Sequence, residues 1–271
     1  MKHFVLDLDI CNGCYCCQIA CKDEHVANDW TPYAKPQPDT GQFWIKMQEE
    51  VRGTVPKVKV SYTPQMCLHC TKARCIEACG APGAIYRRAD GLVIIDPEKC
   101  TGCKLCPDAC PYGAIYFNEG LNIAQKCTGC AHLLDDGWDV PRCVDSCPTN
   151  ALRFAEESEL QQEIGKSEAW KGGKVEAGLV HYINLPKRFV AGTVYDPVEK
   201  EVVIGAQCTL TKKHGKETLK AETDNFGDFW FHGVDDGPYS LTIEKDSTKK
   251  VIGHIDSVKD LNLGDIPLQH T

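Results

Sequence analysis

The chain has 271 residues, 18 of them cysteine, and a formal charge of −8. That length suits two domains and is enough to bury a core, which argues against a disulfide-held mini-protein. Residues 1–155 hold 18 acidic and 16 basic side chains and residues 156–271 hold 20 and 14, so neither half has the basic balance of a nucleic-acid binder.

The N-terminus, MKHFVLDLDI, offers Phe4-Val5-Leu6 as a short strand, but Asp7 and Asp9 interrupt any secretory apolar run. No stretch reaches the ~18–20 apolar residues of a membrane span. A cytoplasmic protein without a direct membrane span is therefore expected. Export beside a partner carrying a twin-arginine signal stays open.

A first cysteine group follows, Cys11-x2-Cys14-x2-Cys17-x3-Cys21, with an extra Cys16. After a short apolar run at Val58–Val60 comes Cys67-x2-Cys70-x4-Cys75-x3-Cys79. Another such run, Leu92–Ile95, precedes Cys100-x2-Cys103-x2-Cys106-x3-Cys110-Pro111. The fourth group is Cys127-x2-Cys130-x12-Cys143-x3-Cys147-Pro148. These segments read as short strands feeding ligand-bearing loops.

From Glu156 the composition turns charged and cysteine-free, predicting a helix near 156–170 and then a linker. Beyond Lys187 short alternating segments predict strands at Phe189–Tyr195, Ala206–Thr211, Thr218–Thr223, Asp228–His232, Tyr239–Glu244 and Val251–Ile255. Their two-residue period marks Phe229, Phe231, Tyr239, Leu241 and Ile243 as core. The expected fold is α+β. A ferredoxin-like domain with duplicated cluster motifs spans 1–155, a helix and linker span 156–186, and a small all-β sandwich or barrel spans 187–271.

Thiolates at i, i+3 and i+6 wrap one corner of a [4Fe–4S] cubane, and in two-cluster ferredoxins the next cysteine serves the other cluster. The third group matches this run completely. Zinc takes Cys-x2-Cys pairs from two separate loops, and the fourth group alone would suit it, but three thiols followed by Cys-Pro leave one too many. Disulfides need an oxidising compartment.

Applied to the middle groups, the exchange rule predicts one cluster on Cys67, Cys70, Cys75 and Cys110 and another on Cys100, Cys103, Cys106 and Cys79. Extended outward, it predicts Cys11, Cys14 and Cys17 with Cys147, and Cys127, Cys130 and Cys143 with Cys21. Cys16 and Cys208 are left over, the latter read as a buried apolar side chain. Lys22, Lys72, Arg74, Lys99, Lys104, Lys126 and Arg142 lie beside ligands, where charge tunes potentials or merely solubilises the surface. His25, His69 and His132 are also near, but sixteen thiols already complete the sets. Asp135-Asp136 and Asp235-Asp236 read as solvated turns, and no phosphate loop or nucleophile motif appears.

Cys67-Leu68-His69-Cys70, Asp96-Pro97-Glu98-Lys99-Cys100-Thr101-Gly102-Cys103, Gln125-Lys126-Cys127-Thr128-Gly129-Cys130 and Cys147-Pro148-Thr149-Asn150-Ala151 carry a resemblance. They resemble the four-cluster electron-transfer subunits of dimethyl sulfoxide reductase-class molybdopterin oxidoreductases, over roughly residues 1–155. Asp236-Gly237-Pro238-Tyr239 and the segment around Phe226 resemble prealbumin-like or adhesin-like sandwiches. The resemblance implies a non-catalytic subunit with four [4Fe–4S] clusters, bound to a large catalytic subunit in a heterodimer or higher assembly. That partner would hold the molybdenum (or tungsten) bis-pterin cofactor. It further implies a holoenzyme that transfers or removes a hydroxyl group on a phenolic substrate. The alternatives are a subunit of a reductase for an oxyanion or sulfur compound, a free-standing polyferredoxin, and a zinc-bound interaction module.

Overall fold

The computed structural model describes residues 1–169, 178–215 and 217–269. Two compact units emerge: Met1–Glu49 with Tyr62–Leu185, and Glu50–Ser61 with Pro186–Thr271.

In the first unit, β1 (Lys2–Asp7) leads to α1 (Cys16–Val26) and a long hairpin, β2 (Ile45–Thr54) and β3 (Lys57–Met66), whose tip belongs to the second unit. A repeated pattern follows. Helix α2 (Arg74–Glu77) precedes the hairpin β4 (Ile85–Arg87) and β5 (Val93–Ile95), and α3 (Leu105–Ala109) precedes β6 (Ile115–Asn118) and β7 (Ile123–Lys126). Then come α4 (Ala131–Asp135), α5 (Arg142–Asp145), β8 (Leu152–Glu156), α6 (Gln161–Ile164) and β9 (Val180–Ile183).

Strand β1 is central in a three-stranded sheet, antiparallel to β8 and parallel to β9. Phe4 and Leu6 enter the main core while Val5 packs with Leu160 and Ile183 on the other face. Burial on both faces is why this strand reads as an unbroken apolar run rather than an alternation. The predicted helix over 156–170 shrinks to the four residues of α6. Charged, helix-friendly residues there lack the apolar stripe that anchors a longer helix. Trp170 and the following seven residues lie outside the described residues.

The β1–β9 pairing also joins two imidazoles. His3 Nδ1 and His181 Nε2 are 2.9 Å apart, and Ser167 Oγ lies 3.0 Å from His181 Nδ1. Burial, then the neighbouring His3 charge, pushes His181 down to about 4, and burial also lowers His3. The folded pair resists protonation that the unfolded chain accepts near pH 6.5, so its stability contribution is complete above that pH and is lost as pH falls toward 4. The thermal midpoint is expected to be lower at pH 5 than at pH 7, and His181→Gln to flatten that dependence. Equal slopes in the two proteins would contradict this.

The second unit is a sandwich of two four-stranded sheets. One joins β10 (Phe189–Asp196) to β11 (Glu201–Val202), β14 (Asp228–His232) and β17 (Leu261–Pro267). The other has the order β13-β12-β15-β16, formed by Thr218–Glu222, Gln207–Lys212, Pro238–Lys245 and Thr248–Asp256. Val190, Phe229 and Phe231 from one sheet meet Leu210, Tyr239, Leu241 and Ile243 from the other. All five residues singled out as core are at most 2 % exposed. Cys208 packs among them, 1 % exposed, and burial raises its thiol to about 12.

The sequence did not reveal β11 and β17. Strand β17 carries Gly264 and Asp265 inside LNLGDIP and pairs parallel to β10 across a register shift, so alternation is lost. The tip of the long hairpin joins this unit through Arg52, which pairs with Asp260 at 3.5 Å and donates to the Lys187 carbonyl at 3.1 Å.

Candidate metal centres

Each cysteine group is a loop that turns on a left-handed residue just before its second cysteine. These are Gly13 (φ 69°), His69 (φ 47°), Gly102 (φ 71°) and Gly129 (φ 64°). At Gly129 a Cβ would lie 2.5 Å from the Leu92 side chain, so glycine is required by space as well as by φ. The turn aims backbone N–H groups at sulfur: Gly129 N–H donates to Cys127 Sγ at 3.3 Å and His69 N–H to Cys67 Sγ at 3.5 Å. Ala124 N–H donates to Cys100 Sγ and Leu152 N–H to Cys147 Sγ, both at 3.5 Å. Backbone N–H groups of Leu105 and Gly80 lower the Cys103 thiol. Such donors stabilise thiolates and are the kind that tune sulfur-ligated clusters.

The helices bring the groups together by packing in nested pairs, α2 with α3 and α1 with α5. Cys67, Cys70, Cys75 and Cys110 line one hollow enclosing about 430 Å³ of empty space, part of it open to solvent. Cys11, Cys14, Cys17 and Cys147 line another of about 360 Å³. Among the described residues no three metal-ligating side chains converge as closely as a single ion requires. The Cys67 and Cys11 sets line hollows rather than the compact four-thiol cluster of a tetrahedral zinc site.

The other two sets are visible through their mutual electrostatics. Cys106 is pushed up to about 12 by burial, then by the charges of Cys100 and Cys79. Cys21 and Cys143 are both buried and raised well above the ordinary thiol, chiefly by burial, and next by Cys127 and Cys130 at Cys21 and by Cys130 and Cys21 at Cys143. Cys17 is likewise raised to about 12 by burial, then by Cys11, Cys147 and Cys14. Cys16 remains at the exposed surface beside Cys14.

Influence also passes between sets. Cys75 acts on Cys106, Cys67 on Cys127, and Cys17 on Cys143. Packing places the sets in the same order: Cys75 and Cys110 share a core with Cys106, Cys100 and Cys79, Cys67 and Cys127 share the main core, and Cys17 and Cys21 lie one turn apart on α1. The sets therefore form a file from that of Cys100 through those of Cys67 and Cys127 to that of Cys11. In chain order this runs third, second, fourth, first.

Supporting residues divide into those the sequence suggested and those it concealed. Lys99, Lys104 and Arg142 are paired with Asp96, Glu119 and Asp145 at 2.7, 2.7 and 2.6 Å. Their charges are locally neutralised at the surface. Lys22 donates to the carbonyls of Pro38 and Gln42. Arg87, unnoticed in the sequence, clamps the second loop by donating to the Thr71 and Gly91 carbonyls, both at 2.9 Å.

Asp135 is solvent-exposed at the end of α4, as expected, but it is not a free turn residue. Arg88 grips it with bonds of 2.9 and 2.7 Å, Tyr33 donates to it as well, and these hold its carboxyl at about 2. Asp235 and Asp236 do occupy exposed turns.

Three imidazoles are buried beside the thiols. Val93 N–H donates to His69 Nδ1 at 2.9 Å, so the neutral ring carries its proton on Nε2, which has no partner among the described residues. His25 is pushed to about 3 by burial, then by His132, and packs on Trp44 with ring centroids 4.5 Å apart. His132 bonds Glu24 Oε1 at 3.0 Å. Nothing in the sequence separated these from surface histidines, because their burial comes from long-range packing.

Residues 58–157 match the 4Fe-4S dicluster domain, and residues 190–264 match the carboxypeptidase regulatory-like domain. The chain belongs to the iron–sulfur electron-transfer subunits of the dimethyl sulfoxide reductase class of molybdopterin oxidoreductases. It is 37 % identical to the pyrogallol hydroxytransferase small subunit of Pelobacter acidigallici, over 98 % of both chains. It is 34 % identical to a subunit of the sulfite dehydrogenase of Allochromatium vinosum, over 62 % of this chain and 74 % of that one. One subunit of the anaerobic dimethyl sulfoxide reductase of Escherichia coli is 35 % identical over 60 % of this chain and 77 % of its own. The protein is thus an iron–sulfur electron-transfer subunit of a molybdenum enzyme. Among the described residues no helix is long and apolar enough to cross a membrane.

Proposed function

We propose that this chain holds four [4Fe–4S] clusters and conducts electrons to or from a large subunit carrying a molybdenum or tungsten bis-pterin cofactor. The ligand sets are Cys100, Cys103, Cys106 and Cys79; Cys67, Cys70, Cys75 and Cys110; Cys127, Cys130, Cys143 and Cys21; and Cys11, Cys14, Cys17 and Cys147. The single observation that carries this reading is the gathering of the four thiol sets into adjoining cores, two of them lining hollows of their own. Each cluster, when bound, takes up and releases one electron; the chain's own residues ligate, space and tune.

The substrate reading is a phenol whose hydroxyl group is transferred or removed. Its support is the likeness to the pyrogallol hydroxytransferase small subunit, which extends through the C-terminal unit, whereas the reductase and dehydrogenase relatives cover about 60 % of this chain. Completeness of all four sets favours removal over transfer. Transfer between two phenols is redox-neutral, while replacing a hydroxyl by hydrogen consumes two electrons and two protons and releases water.

The test is to isolate this chain with the subunit that co-purifies, measure molybdenum and tungsten, and supply pyrogallol with and without a reduced donor. Donor-dependent formation of a dihydroxybenzene supports removal; a trihydroxybenzene isomer formed without net donor consumption supports transfer. An isolated monomer free of both metals, inactive on phenols, would overturn the reading in favour of a polyferredoxin.

A further inference from the structure

Among the basic residues beside ligands, Lys126 differs in its burial. The residue is 3 % exposed, at the end of β7 immediately before Cys127. Its ammonium donates to the Cys127 carbonyl at 2.9 Å and to the Val93 carbonyl. Among the described residues no carboxylate is paired with it, in contrast to Lys99, Lys104 and Arg142. Two neutral carbonyls do not cancel a full charge, and an uncompensated buried ion is costly to the fold.

The ammonium sits between two sets, because Val93, whose carbonyl it reaches, lines the hollow of Cys67, Cys70, Cys75 and Cys110, while the other carbonyl it holds belongs to Cys127, in line with its lowering influence on the Cys75 and Cys127 thiols. These thiols belong to the second and third sets of the file, so Lys126 lies at its central step. A thiolate-ligated cubane carries a net charge of about −2, becoming about −3 on reduction. Two such groups on either side supply the counter-charge that the protein omits.

We infer that Lys126 is a tuning residue for electron transfer: its buried ammonium holds up the reduction potentials of the two middle clusters, easing the electron's passage between them. The inference rests on the four-cluster reading above. A fixed positive charge favours the more negative, reduced state of each neighbour, and its low-dielectric setting leaves the effect little screened. The same site explains why a lysine is tolerated in the core. Its stability depends on the clusters, as theirs depends on it.

The test uses the complete complex, with Lys126→Met to remove charge at similar volume and Lys126→Arg to retain it. Iron and sulfide are measured first, and potentials are then read by a redox titration followed by electron paramagnetic resonance. The expected result is that Lys126→Met shifts two of the four couples to more negative potential, clearly more than the other two, and that Lys126→Arg lies nearer wild type. Four intact clusters with unmoved couples, or all four shifted alike, would overturn the inference. Should Lys126→Met not assemble, Lys126→Gln provides the neutral variant and Lys126→Arg the control. A wild-type complex without four titrating couples would instead refute the four-cluster reading, so the two failures are separable.

Discussion

Cys21→Ala is expected to damage the same redox couple as Cys143→Ala, although Cys21 belongs by sequence to the first group. The residue is buried on α1, and after burial the dominant influences on its thiol are Cys127 and Cys130. Packing of α1 on α5 brings Cys21 near Cys143, which is what the exchange requires. Loss of one ligand either removes that cluster, taking iron from about 16 to about 12 per chain, or leaves a three-iron remnant. Cys147→Ala should strike the couple that Cys17→Ala strikes, because Cys147 lies in the hollow of Cys11, Cys14 and Cys17. Cys16→Ala, at the exposed surface, should leave iron content and all couples unchanged. Electron paramagnetic resonance during redox titration separates the couples. If Cys21→Ala matched Cys17→Ala instead, the exchange would be wrong and each group would complete its own cluster.

Removing the clusters is expected to unfold the first unit while leaving the second folded. Helices α2 to α5 have four or five residues each, far below the ~12–15 that sustain a helix in water. Nine of the sixteen candidate ligands also pack in or against the main core of that unit: Cys17, Cys21, Cys67, Cys127 and Cys143 within it, and Cys11, Cys70, Cys110 and Cys147 around it. Stripped of inorganic filling, these thiols would line voids, and cores lose stability in proportion to the void left. Ligation of clusters by these thiols would therefore supply folding energy. The second unit draws on its own aromatic and aliphatic core and needs no ligand. After treatment with chelator and oxidant, limited proteolysis should degrade residues 62–185 and spare a fragment containing 187–271. Survival of both halves, or loss of both together, would contradict this.

How much was legible in the sequence follows from what fixes each feature. A rigid inorganic body constrains ligand spacing along the chain, so the four cysteine loops could be read from the sequence, whereas the fourth thiol of each set came from the two-cluster exchange rule and not from spacing. The sandwich core was legible because Phe229, Phe231, Tyr239, Leu241 and Ile243 obey the two-residue period of a half-buried strand. Features set by distant packing were not. Lys126 and His69 look like surface residues until β5 and β7 enclose them, and Asp135 looks like a turn until Arg88 arrives from 47 residues away. Strand β17 lost its pattern to a bulge, and the helix expected over 156–170 had composition without a buried face. The tip of the β2–β3 hairpin joins the C-terminal unit through ion pairs such as Arg52 with Asp260, a contact that no local pattern encodes.

The central claim, that sixteen cysteines hold four cubanes for electron transfer, meets its most direct test in metal and sulfide analysis of the purified complex. About 16 iron and about 16 acid-labile sulfide per copy of this chain are expected, reduced in four one-electron steps. About four zinc per chain without sulfide would contradict it.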